Sequence, residues 1–503
     1  MKGQRGHLLK GAAWVSVATL VVNALGFVSL IALTRILMPD DFGLVAIAAS
    51  LAQIIGLVLQ LSLSQALIQR KDVEPEHFHT SWTLGVARGA FIAALLALSA
   101  PIVAQFYGDE RLADLLRFLA LAPLIGGFSN PKLVVFQRDL DFKQASILSI
   151  AEKLAVFVCS VGIAIIYQSY WALVAGTVAG TFVTAVLSYT FIPYRPRIAI
   201  SKWKDLLSFS IWLTLGTWVQ AINWRSTPLL LGYFLPVPLL GQFRVGNQVI
   251  EKTVDEAMRP IKALLFPAFS RLQDKNLRLR QSYLRSQGTI CLITYPVAAG
   301  IAVLAEDLVR LAMGEKWLLA VPVIQILALS RLFRAVHNVR AIAMASANTK
   351  ELFYRNLAVF CIRWPMTFAG MALFWGDTYW MLIGAMWGQF GSAVISMGLN
   401  VRLIQKISTV TLLDHASVVW RPLVAIVAMV VLVLLADSAL PAAIAPLELA
   451  LRLVALASLG AIIFFATLFA IWVLQGRGDT IEKELALIIR GLAGKAIAKV
   501  RPS

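Results

Sequence analysis

The sequence predicts an all-α integral membrane protein with about 14 transmembrane helices, in two pseudo-symmetric six-helix lobes plus two C-terminal helices. Three observations predict it. Apolar stretches of about 20 residues, the length needed to cross a bilayer core, recur from Ala12 to Leu474 with short breaks. Of the 503 residues, 59% are hydrophobic and only 14% charged, outside the range of soluble globular chains. The charge is also asymmetric: basic residues collect in alternate loops and acidic ones in the loops between.

The approximate spans are 12–34, 43–67, 81–106, 112–136, 144–167, 170–193, 206–233, 237–260, 283–305, 317–345, 352–374, 379–401, 417–436 and 447–474. With the N-terminus inside, the cytoplasmic loops hold Arg70, Lys71, Arg138, Lys143, Arg195, Arg197, Lys202 and Lys204. The outer loops hold Asp40, Asp41, Asp109, Glu110, Glu306, Asp307 and Asp377. Both termini are therefore expected in the cytoplasm. Met1–Lys10 is short, basic and leads directly into a full-length span, so the first helix is expected to stay as an anchor.

Residues 1–193 are expected to form the first lobe, 194–205 a cytoplasmic linker, and 206–401 the second lobe. Residues 402–474 carry the two additional spans, and 475–503 reads as a basic amphipathic tail on the inner leaflet. An internal repeat supports the two lobes. Trp14 and Gly43 lie 29 positions apart, as do Trp212 and Gly241, at a common offset of 198. The net charge of +18 follows mostly from the loop asymmetry, and no basic soluble domain is left to bind nucleic acid. Cys159, Cys291 and Cys361 all fall in apolar spans, without a disulfide framework or a metal spacing. The five histidines are scattered, and no glycine-rich phosphate loop with a lysine is present. The reading is therefore a transporter rather than an enzyme, with no cofactor and no metal.

Charges at membrane depth need a functional reason, because a charged side chain at the bilayer centre costs about 2.5–3.5 kcal/mol or more. Arg225, Arg244, Arg331, Arg334 and Arg363 fall at such depths with few carboxylates to match. Arg88 sits shallower, where snorkelling explains it equally well. In the eighth span, Arg244, Gln248, Glu251, Asp255 and Arg259 share one helical face. Structural ion pairing competes with cavity lining for this stripe, and Glu251, Lys252, Asp255 and Glu152 are candidates for ion coupling or for structural ion pairs. In the tenth span Arg331, Arg334 and Asn338 share a face, and no acid lies within 317–345. Arginines stay charged and present planar forks of donors, a match for a diphosphate. Trp218, seven residues from Arg225, joins Gln248 and Asn338 as a candidate sugar contact. Trp203, Trp317, Trp380 and Trp472 read as interfacial belt residues.

Several segments resemble a known family. These are Thr34-Arg35-Ile-Leu-Met-Pro39-Asp-Asp-Phe42-Gly43, Leu67-Ile-Gln-Arg70-Lys71-Asp72 and Phe136-Gln-Arg-Asp-Leu-Asp-Phe142. Leu265-Phe-Pro267-Ala-Phe-Ser-Arg271-Leu-Gln-Asp274 and Gly314-Glu-Lys-Trp317 complete the set. In this order they resemble the Wzx-type flippases, nearest the branch that includes the colanic acid exporter, over about residues 8–430. The resemblance implies the fold of the multidrug/oligosaccharidyl-lipid/polysaccharide superfamily, with two lobes around a cavity that opens alternately to each side. It also implies an undecaprenyl-diphosphate-linked oligosaccharide as cargo, moved from the inner to the outer leaflet for exopolysaccharide assembly. Membrane lipid and a polymerase and export machinery are the implied partners. The motifs lie in loops and helix ends, so they assign no cargo contacts. A peptidoglycan lipid-precursor flippase is the adjacent alternative. A cation-coupled multidrug antiporter is weaker, since the first three spans carry no deep carboxylate. A membrane glycosyltransferase is weaker still, because the outer loops are too short for an acidic or metal-binding site.

Overall fold

The structure is a computed structural model. It describes residues 2–60, 63–69, 72–138, 142–204, 211–256, 258, 265, 269, 276–335, 339–346, 348–441, 445–476 and 482. Every regular element among the described residues is a helix. Ten of these are long and apolar enough to cross a membrane: Trp14–Ile36, Pro39–Val58, Pro75–Tyr107, Lys143–Tyr167, Trp171–Phe191, Leu277–Val303, Glu315–Ala345, Thr378–Ile407, Leu412–Ala439 and Pro446–Leu474. Many large apolar side chains on them, Leu98, Ile102, Ile165, Val427, Leu435 and Leu451 among them, are exposed on the protein surface. So much exposed apolar surface suits hydrocarbon and not water. The protein is an all-α, multi-pass membrane protein.

The first compact unit comprises Met1–Val245 and Ala312–Trp317. Its helices are α1 (Lys2–Ile36), α2 (Pro39–Val58), α3 (Leu63–Gln69), α4 (Pro75–Tyr107), α5 (Arg111–Leu119), α6 (Leu121–Gly127) and α7 (Val134–Arg138). Then follow α8 (Phe142–Tyr167), α9 (Trp171–Phe191), α10 (Ile211–Arg225), α11 (Thr227–Phe234) and the first part of α12 (Val237–Ile250). The unit therefore closes within α12. Helix starts follow local chemistry. Pro39 and Pro75 sit at first-turn positions of α2 and α4, where the missing N–H costs nothing. Asp41 accepts a bond from the Met38 N–H at 2.8 Å, capping α2 and placing negative charge at its positive end. The chain leaves α4 through Gly108, whose φ of 68° suits glycine. The Arg111 guanidinium, bonded to Asp40 at 2.7 Å, also holds the Asp109 carboxyl below its usual range, against the opposing effect of burial.

Two of the resemblance-bearing segments meet in this unit. Trp317, expected at the interface, is fully buried instead. Its indole N–H donates to the Thr34 carbonyl at 2.8 Å, and its ring meets Phe42 edge-on at 5.2 Å. A buried indole needs an acceptor, and the end of α1 supplies one. Lys316 donates to the carbonyls of Arg35 and Leu37 at 3.0 and 2.8 Å, a cation on the negative end of a helix.

At the same place α2 and α12 touch backbone to backbone. A Cβ at Gly43 would collide with the carbonyl of Val237, and one at Gly241 with the carbonyl of Pro39. Pro39 and Val237 begin their helices, and they too are 198 positions apart. The crossing is thus reciprocal, as a two-fold relation requires.

The second unit comprises Gly246–Leu311 and Leu318–Ser503. After the remainder of α12 comes a π-helical turn, Glu251–Asp255. Its helices are α13 (Asn276–Val303), α14 (Ala305–Ala312), α15 (Val321–Ala335), α16 (Val339–Ala345), α17 (Thr349–Ala372), α18 (Thr378–Ile407), α19 (Leu412–Ala439) and α20 (Pro446–Leu474). Asp377 caps α18 by accepting from the Tyr379 and Trp380 N–H groups. Thr411 and Asp414 form a reciprocal capping box on α19. Arg452 ties α20 to α19 through Asp437 at 2.6 Å, and reaches Asp307 of α14 at 3.5 Å.

Four expected spans differ from simple membrane helices. The fourth is divided into α5 and α6 just before Pro123, which cannot donate to the Leu119 carbonyl. The seventh breaks at Ser226, ahead of Pro228. The eighth passes into the π turn, and the eleventh, α17, carries Lys350, Glu351, Arg355 and Arg363. The tail at 475–503 lies outside the described residues apart from Gln475, Gly476 and Glu482, whose carboxylate reaches Arg421 at 3.4 Å.

The glycine crossing gives a direct test. Gly43→Ala or Gly241→Ala is expected to destabilise the protein by about 1–3 kcal/mol, the usual range for overpacking. Gly398→Ala, where nothing lies within 4 Å of the added carbon, is expected to be neutral or slightly stabilising. Thermal unfolding of the three variants in detergent separates these outcomes.

Candidate functional site

The second unit carries the densest set of interior charges. The π turn at its start arises where side chains compete for the helix ladder. Thr253 Oγ1 donates to the Val249 carbonyl at 2.6 Å, and Asn247 Nδ2 to Glu251 Oε1 at 2.9 Å. The Glu256 N–H bonds back to the Glu251 carbonyl, five residues away. The single α-helical face expected for residues 244–259 is therefore interrupted. Val249, Val254 and Met258 form the buried side of this segment, while Gln248, Glu251, Lys252 and Asp255 are half-buried.

Asp255 reaches α15. Its Oδ2 accepts from Arg331 Nη2 at 2.9 Å, with the arginine side chain 8% exposed and the aspartate 39%. Two residues read separately in the sequence thus form one ion pair, and the acid absent from 317–345 arrives from the π turn. Arg334 stands one turn further along α15. The charges of Arg331, Arg363 and Arg355 bear on it, as does that of Asp255, whose neighbour Glu256 is also half-buried.

Arg363 and Arg355 come from α17, about 12 Å apart along its axis at 1.5 Å per residue. Arg363 is buried and donates from Nη2 to Gln389 Oε1 of α18 at 2.8 Å. Thr367 Oγ1 donates back to the Arg363 carbonyl at 2.8 Å. Arg355 donates to Asn356 Oδ1 at 2.9 Å. Arg331 Nε, Arg355 Nε and Gln389 Nε2 are buried and have no hydrogen-bond partner among the described residues. Buried donors without an acceptor, beside several guanidinium groups, suit an anion with several oxygens. Arg355 is absent from the sequence-derived set.

The remaining candidates are dispersed. Arg244 is half-buried on the part of α12 that belongs to the first unit. Arg225 is exposed at the last residue of α10, where a cation complements the helix end. Trp218 is half-buried on the same helix. Arg88 of α4 is half-buried, and its Nε is buried without a partner among the described residues. Glu152 is exposed on α8. Arg259 and Asn338 lie outside the described residues.

The second unit also holds an apolar cavity of about 610 Å³ between α13, α19 and α20, lined by residues such as Leu292, Pro296, Val297, Leu453, Leu456 and Phe465. Its walls offer van der Waals contact to a hydrocarbon chain and nothing to a charge.

The Arg363–Gln389 bond has a measurable weight. Gln389→Leu removes the acceptor at Nη2, and loss of a hydrogen bond to a buried charge costs about 1.5–3 kcal/mol. A lower melting temperature is expected for Gln389→Leu, with Gln389→Glu restoring most of it.

Known proteins bear out this architecture. The polysaccharide biosynthesis protein family model matches residues 32–322. The lipopolysaccharide biosynthesis protein WzxC of Escherichia coli strain K12 is 25% identical over 362 residues, covering 70% of this chain and 73% of that protein. The teichuronic acid biosynthesis protein TuaB of Bacillus subtilis strain 168 is 23% identical over 372 residues, covering 73% and 77%. Among solved structures, the lipid II flippase MurJ in an inward closed conformation superposes with a TM-score of 0.72 at 13% identity. That match covers 91% of this chain and 98% of MurJ, and it concerns the fold. The chain belongs to the polysaccharide biosynthesis protein family, as a transporter among the Wzx-type polysaccharide flippases of the multidrug/oligosaccharidyl-lipid/polysaccharide superfamily.

Proposed function

We propose that this protein moves undecaprenyl-diphosphate-linked oligosaccharide repeat units from the inner to the outer leaflet of the bacterial inner membrane by alternating access, for exopolysaccharide assembly. The observation that carries the proposal is the gathering of Arg331, Arg355 and Arg363 around Arg334, with buried donors on Arg331 and Arg355 that meet no acceptor among the described residues. A lipid diphosphate brings two negative charges and many acceptor oxygens, and planar guanidinium forks match them. The two lobes at 1–193 and 206–401, joined by 194–205, belong to this reading, as do the cytoplasmic termini. The relatives WzxC and TuaB, proteins of lipopolysaccharide and teichuronic acid biosynthesis, support a saccharide headgroup.

Export of cationic drugs fits poorly, because the arginine cluster repels such cargo. For ion coupling, Asp255 is engaged with Arg331 and Glu251 with Asn247, which favours structural ion pairing and hydrogen bonding at these two positions. A peptidoglycan precursor shares the diphosphate and differs only in the headgroup.

Flipping of a fluorescent undecaprenyl-diphosphate oligosaccharide in proteoliposomes tests the proposal. Arg331→Ala/Arg334→Ala is expected to lower the rate at least about tenfold, since each lost charge-assisted bond removes about 1.5–3 kcal/mol. Thermal unfolding of the variant checks that the fold survives. Undiminished flipping by a folded variant would contradict the assignment.

A further inference from the structure

Asp255 is an unusual neighbour for a site built to hold anions, because it already fills part of that site with a carboxylate. Its Oδ2 sits 2.9 Å from Arg331 Nη2. It also acts on Arg334, as do Arg331, Arg355 and Arg363. We infer that Asp255 is an internal counter-ion that sets anion selectivity: a diphosphate displaces it from Arg331, whereas a single phosphodiester does not. The inference rests on the diphosphate-cargo reading and adds a specificity-determining residue to it.

Other anionic lipids compete for such a site. A transporter for a rare lipid diphosphate operates in a bilayer rich in lipids with one anionic phosphodiester. A bare cluster of four guanidinium groups would bind those lipids too, by the same charge-assisted bonds. Specificity then needs an element that works against the wrong ligand. A phosphodiester carries one negative charge, as does the carboxylate it must replace, so the exchange gains little. A diphosphate diester carries two charges and more acceptors, and can engage Arg331 together with the other arginines.

The geometry permits such an exchange. Arg331 is fixed and buried, with 8% of its side chain exposed, while 39% of the Asp255 side chain is open. Asp255 is also the last residue of the π turn Glu251–Asp255. A π turn holds one more residue than an α turn. Resolving it into α-helix rotates the residues beyond it by about 100° around the axis, one residue's worth of helical turn. That rotation would carry the carboxylate away from Arg331 without unfolding the helix. Glu251 does not take over the pairing, since its carboxylate is bonded to Asn247.

The test is a binding comparison in nanodiscs, with phosphatidylglycerol and a farnesyl-diphosphate-linked N-acetylglucosamine as probes. Wild type should prefer the diphosphate probe by at least about tenfold, and Asp255→Asn should reduce that preference to about threefold or less, mainly by tighter phosphatidylglycerol binding. An unchanged preference in a folded Asp255→Asn protein overturns the inference. Arg331→Gln in the same assay tests the reading beneath it. If Arg331→Gln leaves diphosphate binding intact, the site assignment itself fails; if it weakens binding while Asp255→Asn leaves the preference unchanged, only the counter-ion role fails. Should Asp255→Asn not fold, wild type decides. Raising phosphatidylglycerol from none to half of the lipid should leave probe binding within about twofold, and proportional competition would overturn the inference.

Discussion

A guanidinium group inside a bilayer-spanning protein must be matched by charge, by hydrogen bonds or by water, and that requirement organises the second unit. Two unit charges 4 Å apart attract by about 4 kcal/mol at an effective dielectric of 20, comparable to the cost of placing one arginine at membrane depth. Arg331 meets the requirement through Asp255 and Arg363 through Gln389. These contacts tie the π turn to α15 and α17 to α18. Donors remain beyond those these contacts use: Arg331 Nε, Arg355 Nε and Gln389 Nε2 are buried and meet no acceptor among the described residues.

In the first unit the corresponding constraint is steric. The backbones of α2 and α12 come together at Gly43 and Gly241, each glycine against the first residue of the other helix. No side chain fits there. The segment Gly314–Trp317 then fastens the junction between α1 and α2 through Lys316 and Trp317. Two segments that carry the family resemblance in the sequence are therefore parts of one contact, which explains why both are distinctive although neither holds an interior charge.

Much of this was legible in the sequence, for reasons that can be named. Long apolar runs mark membrane helices because a bilayer demands them, and Trp171–Phe191 and Pro446–Leu474 closely follow the expected spans. The offset of 198 between Gly43 and Gly241 marked an internal repeat, and in the structure each glycine meets the first residue of the other's helix. What escaped depends on tertiary contact. Asp255 and Arg331 are 76 positions apart, and no helical periodicity links a residue in one span to its partner in another. At the π turn the Thr253 hydroxyl competes for the Val249 carbonyl. Trp317 resembles an interfacial tryptophan by position, but the end of α1 offers it a carbonyl and Phe42 a ring. Arg355 stands in the second turn of α17 beside Lys350 and Glu351, where a cation ordinarily snorkels to the interface.

The most direct measurement of the central claim is photo-crosslinking with a lipid diphosphate that carries a diazirine next to the second phosphate, followed by mass spectrometry of the labelled peptides. The account predicts labels within 321–335 and 349–372, the segments of α15 and α17 that hold Arg331, Arg334, Arg355 and Arg363, and their loss in excess unlabelled diphosphate. Labels confined to the first unit, around Arg88 or Arg225, would contradict it and place the cargo's charge on arginines outside this cluster.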